Sequence, residues 1–131
     1  MSRLCGLSVR QIKADPVRIA REFAVKQNLV LVLKGNPSLI AESGGRVVIN
    51  PTGGPSLAKA GSGDVLTGVI AGMIAQGLEP FDAAVCGVYL HGLCADLAAE
   101  RLGEYCVTAL ELIRTIPDAI IKVKAECSGE D

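Results

Sequence analysis

Asp64 stands where a glycine-rich polar loop turns into an apolar helix. The segment runs from Asn50-Pro51-Thr52-Gly53-Gly54 through Lys59-Ala60-Gly61-Ser62-Gly63-Asp64-Val65 and on, strongly apolar, to Ala75-Gln76-Gly77. Free backbone N–H groups at a helix start, together with the positive end of the helix dipole, attract phosphate. Gly61-Ser62-Gly63 offers such groups close together, in a stretch where a ligand can approach the main chain and be held in an anion-binding nest. A carboxylate fixed at the same spot can take a proton from a hydroxyl that faces the phosphate. The segment points to phosphoryl chemistry on a small molecule, with Asp64 as general base. An acid in a first helical turn has a plainer reading, as a partner of the dipole; the loop before it favours the chemical one.

Other residues are weighed against the same standard. Lys34-Gly35-Asn36-Pro37-Ser38 follows an apolar run, at the end of a strand where α/β folds place ligand contacts; on spacing alone it reads as a strand-to-hairpin turn. Lys59 either pairs with a phosphate oxygen or is a solvated lysine. Asn50 and Thr67 read as local structural hydrogen-bonders. His91, with Cys86, Cys94 and Asp96 nearby, lacks the spacing of a metal site and reads as a satisfied, partly buried histidine; no metal-ligating residue is assigned. The chain has no Gly-x-x-x-x-Gly-Lys-Ser/Thr loop. Gly61-Ser62-Gly63-Asp64-Val65-Leu66 fails as a dinucleotide fingerprint, because leucine stands where glycine is required.

The elements that must position these residues follow from periodicity. Asp15-Pro16 caps a helix whose apolar positions are Val17, Ala20, Phe23 and Ala24, ending at Gln27-Asn28. Leu29–Leu33 is a continuous apolar run, expected as a strand buried on both faces in a parallel sheet. Residues 38–42 and 46–50 read as a hairpin around Ser43-Gly44-Gly45. A helix is expected from Asp64 to Gln76, with a small-residue stripe (Gly68, Ala71, Gly72, Ala75) packed tightly, on the sheet. Pro80–Arg101 reads as a buried helix, Thr108 and Glu111 cap another that ends at Arg114, and Pro117 opens a last one. The fold class is α/β with a partly parallel sheet and an edge hairpin.

Bulk properties bound the partners. The chain has 131 residues, half of them apolar, and a net charge of −1, enough for one domain with a real core. No basic stripe or aromatic platform suits a nucleic acid. The run Val65–Ala75 is too short to span a membrane. Five cysteines without a Cys-x-x-Cys pair and no secretory signal fit reduced thiols and a cytoplasmic location.

Leu33-Lys34-Gly35, Ile49-Asn50-Pro51-Thr52-Gly53, Leu57 through Gly68, and Tyr89-Leu90-His91-Gly92 together resemble the NAD(P)H-hydrate dehydratases of the ribokinase-like superfamily. The resemblance covers nearly the whole chain, and the order of the Asn-Pro-Thr-Gly and Gly-Ser-Gly-Asp blocks makes it specific. It implies a three-layer α/β/α fold, of which residues 1–126 would form the C-terminal half and 127–131 a flexible tail. It implies a repair enzyme that uses ADP or ATP, with Mg²⁺, to dehydrate the S epimer of hydrated NADH or NADPH. Asp64 matches the family's catalytic aspartate. Gly63 matches its anion hole and nucleotide contact; Gly61 and Ser62 beside it are expected to bind the nucleotide as well. Lys34, Gly35, Asn36, Pro37 and Ser38 match its nucleotide loop, usually Lys-Gly-Ala-x-Thr; Asn36 and Ser38 depart from that pattern, and Ser38 keeps a hydroxyl. Other readings are a ribokinase-like kinase of a small alcohol and a truncated nucleotide-binding module without turnover. In the family a His-Pro-Gly-Glu turn precedes the Met1-Ser2-Arg3-Leu4 that opens this chain. The half sheet should expose an unpaired edge, giving a homo-oligomer or a missing N-terminal partner segment.

Overall fold

A computed structural model of the protein describes residues 1–129. Two short helices, Ser2–Cys5 (α1) and Val9–Ala14 (α2), lead into Pro16–Gln27 (α3). Ser8 and Gln11 close a reciprocal capping box on α2. At the start of α3 the Arg18 N–H donates to the Asp15 carboxylate (3.2 Å), and Asn28 ends the helix in the left-handed conformation. Strands Leu31–Leu33 (β1), Leu39–Ala41 (β2) and Val47–Ile49 (β3) follow. Beyond the glycine-rich loop come Ser62–Ala75 (α4), Pro80–Leu102 (α5) and Ala109–Ser128 (α6).

The three strands form one sheet in the order β1-β2-β3, antiparallel throughout. The expected hairpin is present, with Leu39 opposite Ile49 and Ala41 opposite Val47. The expected parallel pairing of Leu29–Leu33 is not: among the described residues its one sheet neighbour is β2, which runs the opposite way. A continuous apolar run reports burial on both faces and says nothing of strand direction. Here helices cover both faces of an antiparallel sheet. Leu39 and Ala41 of β2 pack with Ala20 and Ala24 of α3, while Ile40 packs on the other side with Leu66 of α4 and Phe81, Ala84 and Val88 of α5. The strand buried on both faces is therefore β2; β1 is half-buried. The result is α3, sheet, then α4 and α5, with α6 packed outside α5 on Leu93, Cys94, Leu112 and Ala119.

Helix α5 is long and apolar enough to cross a membrane by length and composition, but two thirds of its most apolar window is buried within the protein. Four other expectations change. Helix α4 begins at Ser62, two residues earlier than its apolar pattern, because Gly61 takes a positive φ of 84° and turns the chain into it. The small-residue stripe of α4 faces outward, and nothing lies within 4 Å of a methyl group added at Gly68 or Gly72. The tight approach falls on α5, where a Cβ at Gly87 would stand 2.6 Å from Ile70. Pro117 does not open a new helix. It lies inside α6, which continues to Ser128 because Leu112, Thr115 and Ala119 bury one continuous face. Cys127 and Ser128 accordingly belong to the last turn of α6, not to a tail; Glu130 and Asp131 lie outside the described residues.

Candidate active site

The site gathers at the N-terminus of α4. In its first turn the N–H groups of Ser62, Asp64 and Val65 donate to the carbonyls of Lys59, Gly61 and Gly61. That of Gly63 finds no acceptor among the described residues. Gly61 caps the helix without a side-chain oxygen, so the end of the dipole is left for an outside anion. The Lys34 side chain crosses from the end of β1 to this point. A methyl group at Gly63 would stand 3.3 Å from the Lys34 Nζ, and Lys34 pairs with no carboxylate among the described residues. An ammonium, an unpaired N–H and a helix N-terminus thus converge, the combination that binds phosphate.

Lys34, Gly35, Asn36, Pro37 and Ser38 line one wall of a cavity of about 510 Å³. The opposite wall is made by Thr52, Gly53, Gly54, Leu57 and Lys59, with His91 and Val88 of α5 at its floor. The Lys34–Ser38 loop holds its own shape: the Ser38 hydroxyl donates to the Gly35 carbonyl (3.1 Å), and Asn50 N–H donates to Ser38 O (2.9 Å). The volume suits a small molecule.

The far wall is held by α5. Thr52 Oγ1 donates to the Tyr89 carbonyl (2.8 Å), and the Gly53 N–H donates to Asp96 (2.8 Å). Asn50 Nδ2 donates to Thr52 O (2.8 Å), and Thr67 Oγ1 donates to the Gly63 carbonyl (2.9 Å); both are structural, as their spacing suggests. Lys59 proves to be a tether: its ammonium donates to the carbonyls of Glu104 (3.2 Å) and Tyr105, fixing the glycine loop to the α5–α6 connection. His91 is buried, and its Nε2–H donates to the Ser62 carbonyl (2.9 Å). Burial lowers the imidazole below the usual histidine value; the bond to Ser62 opposes this, and the nearby Lys34 charge adds to it.

Asp64 is exposed in the first turn of α4. Its carboxylate makes no hydrogen bond or ion pair among the described residues, so it is neither buried nor locked in a structural network. It does not line the Lys34 cavity. It lies at a second cavity of about 520 Å³ between α4 and α6, lined by Val65, Val69, Met73, Ile113 and Ile116. Gly61, Ser62 and Gly63 line neither cavity. Residue spacing alone does not point to Asp96 as an anchor or to His91 as the residue beneath Ser62. The Tyr89-Leu90-His91-Gly92 block was the available signal, and its meaning is that α5 underlies the whole loop.

The chain is similar to known proteins over most of its length. The profile of the family Carb_kinase, described as NAD(P)H-hydrate dehydratase, matches residues 1–118. The bifunctional NAD(P)H-hydrate repair enzyme Nnr of Moorella thermoacetica is 44% identical over 126 residues, covering 96% of this chain and 24% of that protein. The ADP-dependent (S)-NAD(P)H-hydrate dehydratase of Bacillus subtilis is 39% identical over 115 residues, 88% of this chain and 42% of its own length. The chain thus spans less than half the length of these relatives. Among solved structures, the ADP/ATP-dependent NAD(P)H-hydrate dehydratase of Bacillus subtilis co-crystallized with ATP/Mg²⁺ superposes with a TM-score of 0.89 at 37% identity, over 92% of this chain and 44% of that one. A ribokinase-like superfamily protein of Enterococcus faecalis superposes at 0.76 with 30% identity, over 92% of this chain and 40% of that one.

Proposed function

Since this chain belongs to the NAD(P)H-hydrate dehydratase family, we propose that it carries the nucleotide loop and the catalytic carboxylate of an enzyme that dehydrates (S)-NAD(P)H-hydrate to NAD(P)H with ADP or ATP. The observation that carries the reading is the convergence of Lys34 Nζ and the unpaired Gly63 N–H at the start of α4. On this reading the nucleotide enters the cavity lined by Lys34, Gly35, Asn36, Pro37 and Ser38, and its terminal phosphate meets Gly61, Ser62 and Gly63. Asp64, on the other side of that turn, faces the hydroxyl of the hydrate.

Asp64 takes the proton of that hydroxyl, and the oxygen bonds to the terminal phosphorus as the bond to the nucleotide breaks. Lys34 and the Gly63 N–H stabilise the charge on the transferred group. Phosphate then leaves with the electron pair of the C–O bond, and loss of a neighbouring proton restores the double bond of the ring. Among the described residues no group of three His, Cys, Asp or Glu side chains could hold a metal ion. Mg²⁺ would be carried largely by the nucleotide phosphates, where it would neutralise charge.

The test is conversion of hydrated NADH in the presence of ADP, followed by recovery of the dihydronicotinamide absorbance. A stable phosphorylated alcohol would instead mark a kinase. One observation favours a second reading: Asp64 is exposed, and the cavity it borders is lined mainly by apolar side chains of α4 and α6. ADP binding by calorimetry without conversion would support a nucleotide-binding module without turnover. β1 has no partner on its outer side among the described residues, which supports pairing with a further segment or a second copy; a monodisperse monomer in light scattering would count against a homo-oligomer.

A further inference from the structure

We propose that His91 is a positioning residue that aims the Gly63 N–H at the phosphate by holding the other end of the same peptide unit. The inference rests on the phosphate site proposed above. The Ser62 carbonyl and the Gly63 N–H belong to one planar trans peptide, so they point in opposite directions. The Nε2–H of His91 donates to the Ser62 oxygen at 2.9 Å and lies 3.4 Å from the Ser62 hydroxyl. Fixing that oxygen toward the interior turns the Gly63 N–H outward, and this is the N–H that has no acceptor among the described residues.

The surroundings make the arrangement rigid. His91 is 3% exposed and Ser62 1%, so neither exchanges its bond for water at low cost. Gly92, next to His91, lies in contact with Thr52, which locks α5 in register with the loop. Only one tautomer fits: a carbonyl oxygen accepts, so Nε2 must carry the proton. Burial, with the nearby Lys34 charge, lowers the pKa of the ring and so favours its neutral form. A backbone N–H aimed in advance contributes more to an anion than one that must be reoriented on binding.

The test uses the whole chain with ADP as probe and the Gly63 amide resonance as readout. In the native protein ADP should shift that resonance strongly. In His91→Phe it should shift little, and ADP affinity should fall about tenfold or more, the scale of a lost bond to a charged group. His91→Gln, which keeps an N–H donor at a similar reach, should return affinity to within about threefold of native. Imidazole ¹⁵N shifts of the native protein provide a check that needs no variant: they should report the Nε2–H tautomer. An Nδ1–H tautomer, or a His91→Phe protein that folds and shows the native Gly63 shift and affinity, overturns the role of His91 while leaving the phosphate site intact. A native protein whose Gly63 resonance ignores ADP overturns the phosphate site, and the role of His91 with it.

Discussion

Gly92 and Thr52 meet so closely that a Cβ on Gly92 would stand 2.2 Å from Thr52 Oγ1 and 2.7 Å from the Thr52 carbonyl carbon. The contact joins two sequence blocks far apart in the chain, and it explains why glycine follows His91. The same residue pair places the glycine-rich wall of the cavity directly on α5.

Gly92→Ala should therefore destabilise the protein by about 1–3 kcal/mol, as over-packing of a tight contact does. Gly72→Ala is the contrast. Gly72 lies within α4 with nothing inside 4 Å of an added methyl group, and alanine there should add up to about 1 kcal/mol. Urea denaturation of the two variants checks both signs.

Lys34→Met should weaken ADP binding by about tenfold while leaving the melting temperature nearly unchanged. The lysine is exposed and pairs with no carboxylate among the described residues, so its charge has little structural work and a phosphate would be its main partner. Calorimetry at two salt concentrations should show the native affinity falling faster with salt than that of the variant.

Cys94 should resist alkylation while Cys86, Cys106 and Cys127 react. Cys94 is 1% exposed, and burial pushes its thiol up to about 11; the other three are exposed. Only the thiolate is the nucleophile. Mass spectrometry after iodoacetamide treatment under native conditions reads the difference directly, and all five should react in denaturant.

Acid should weaken the fold first through His91. Its native pKa lies below the ordinary 6.5 because burial disfavours the charged ring. As pH falls through 6.5, the unfolded chain takes up this proton and the folded one does not, so stability drops. The loss levels off once pH is below the native pKa, and above 6.5 the group contributes no slope. His91→Gln should remove this step and keep the later loss in the carboxylate range, where Arg18 beside Asp15 and Arg46 beside Glu42 hold both carboxyls low. Urea unfolding at intervals across this range measures it.

Caps, periodicity and turn glycines made most of the elements legible: Asp15-Pro16, the Ser43-Gly44-Gly45 hairpin and the long α5 stand where the sequence places them. Strand direction was not legible, because a run such as Leu29–Leu33 records two covered faces and both sheet types provide them. Pro117 misled because a docked apolar face can carry a helix through a proline that would end an isolated one. The small residues of α4 looked like a packing surface, yet size alone cannot say which helix face meets a neighbour. At the site, Asp64 and the Lys34–Ser38 loop carried local signatures. The contributions of His91 and Asp96 are long-range contacts to Ser62 and Gly53, which no local pattern encodes.

On the proposed function, Asp64 acts as the base beside a phosphate held at the start of α4. Turnover of hydrated NADH with ADP, compared between the native chain and Asp64→Asn, tests it most directly. The variant should bind ADP within about threefold of native and turn over more slowly by at least ~10². A variant that converts the hydrate as fast as the native protein would contradict it.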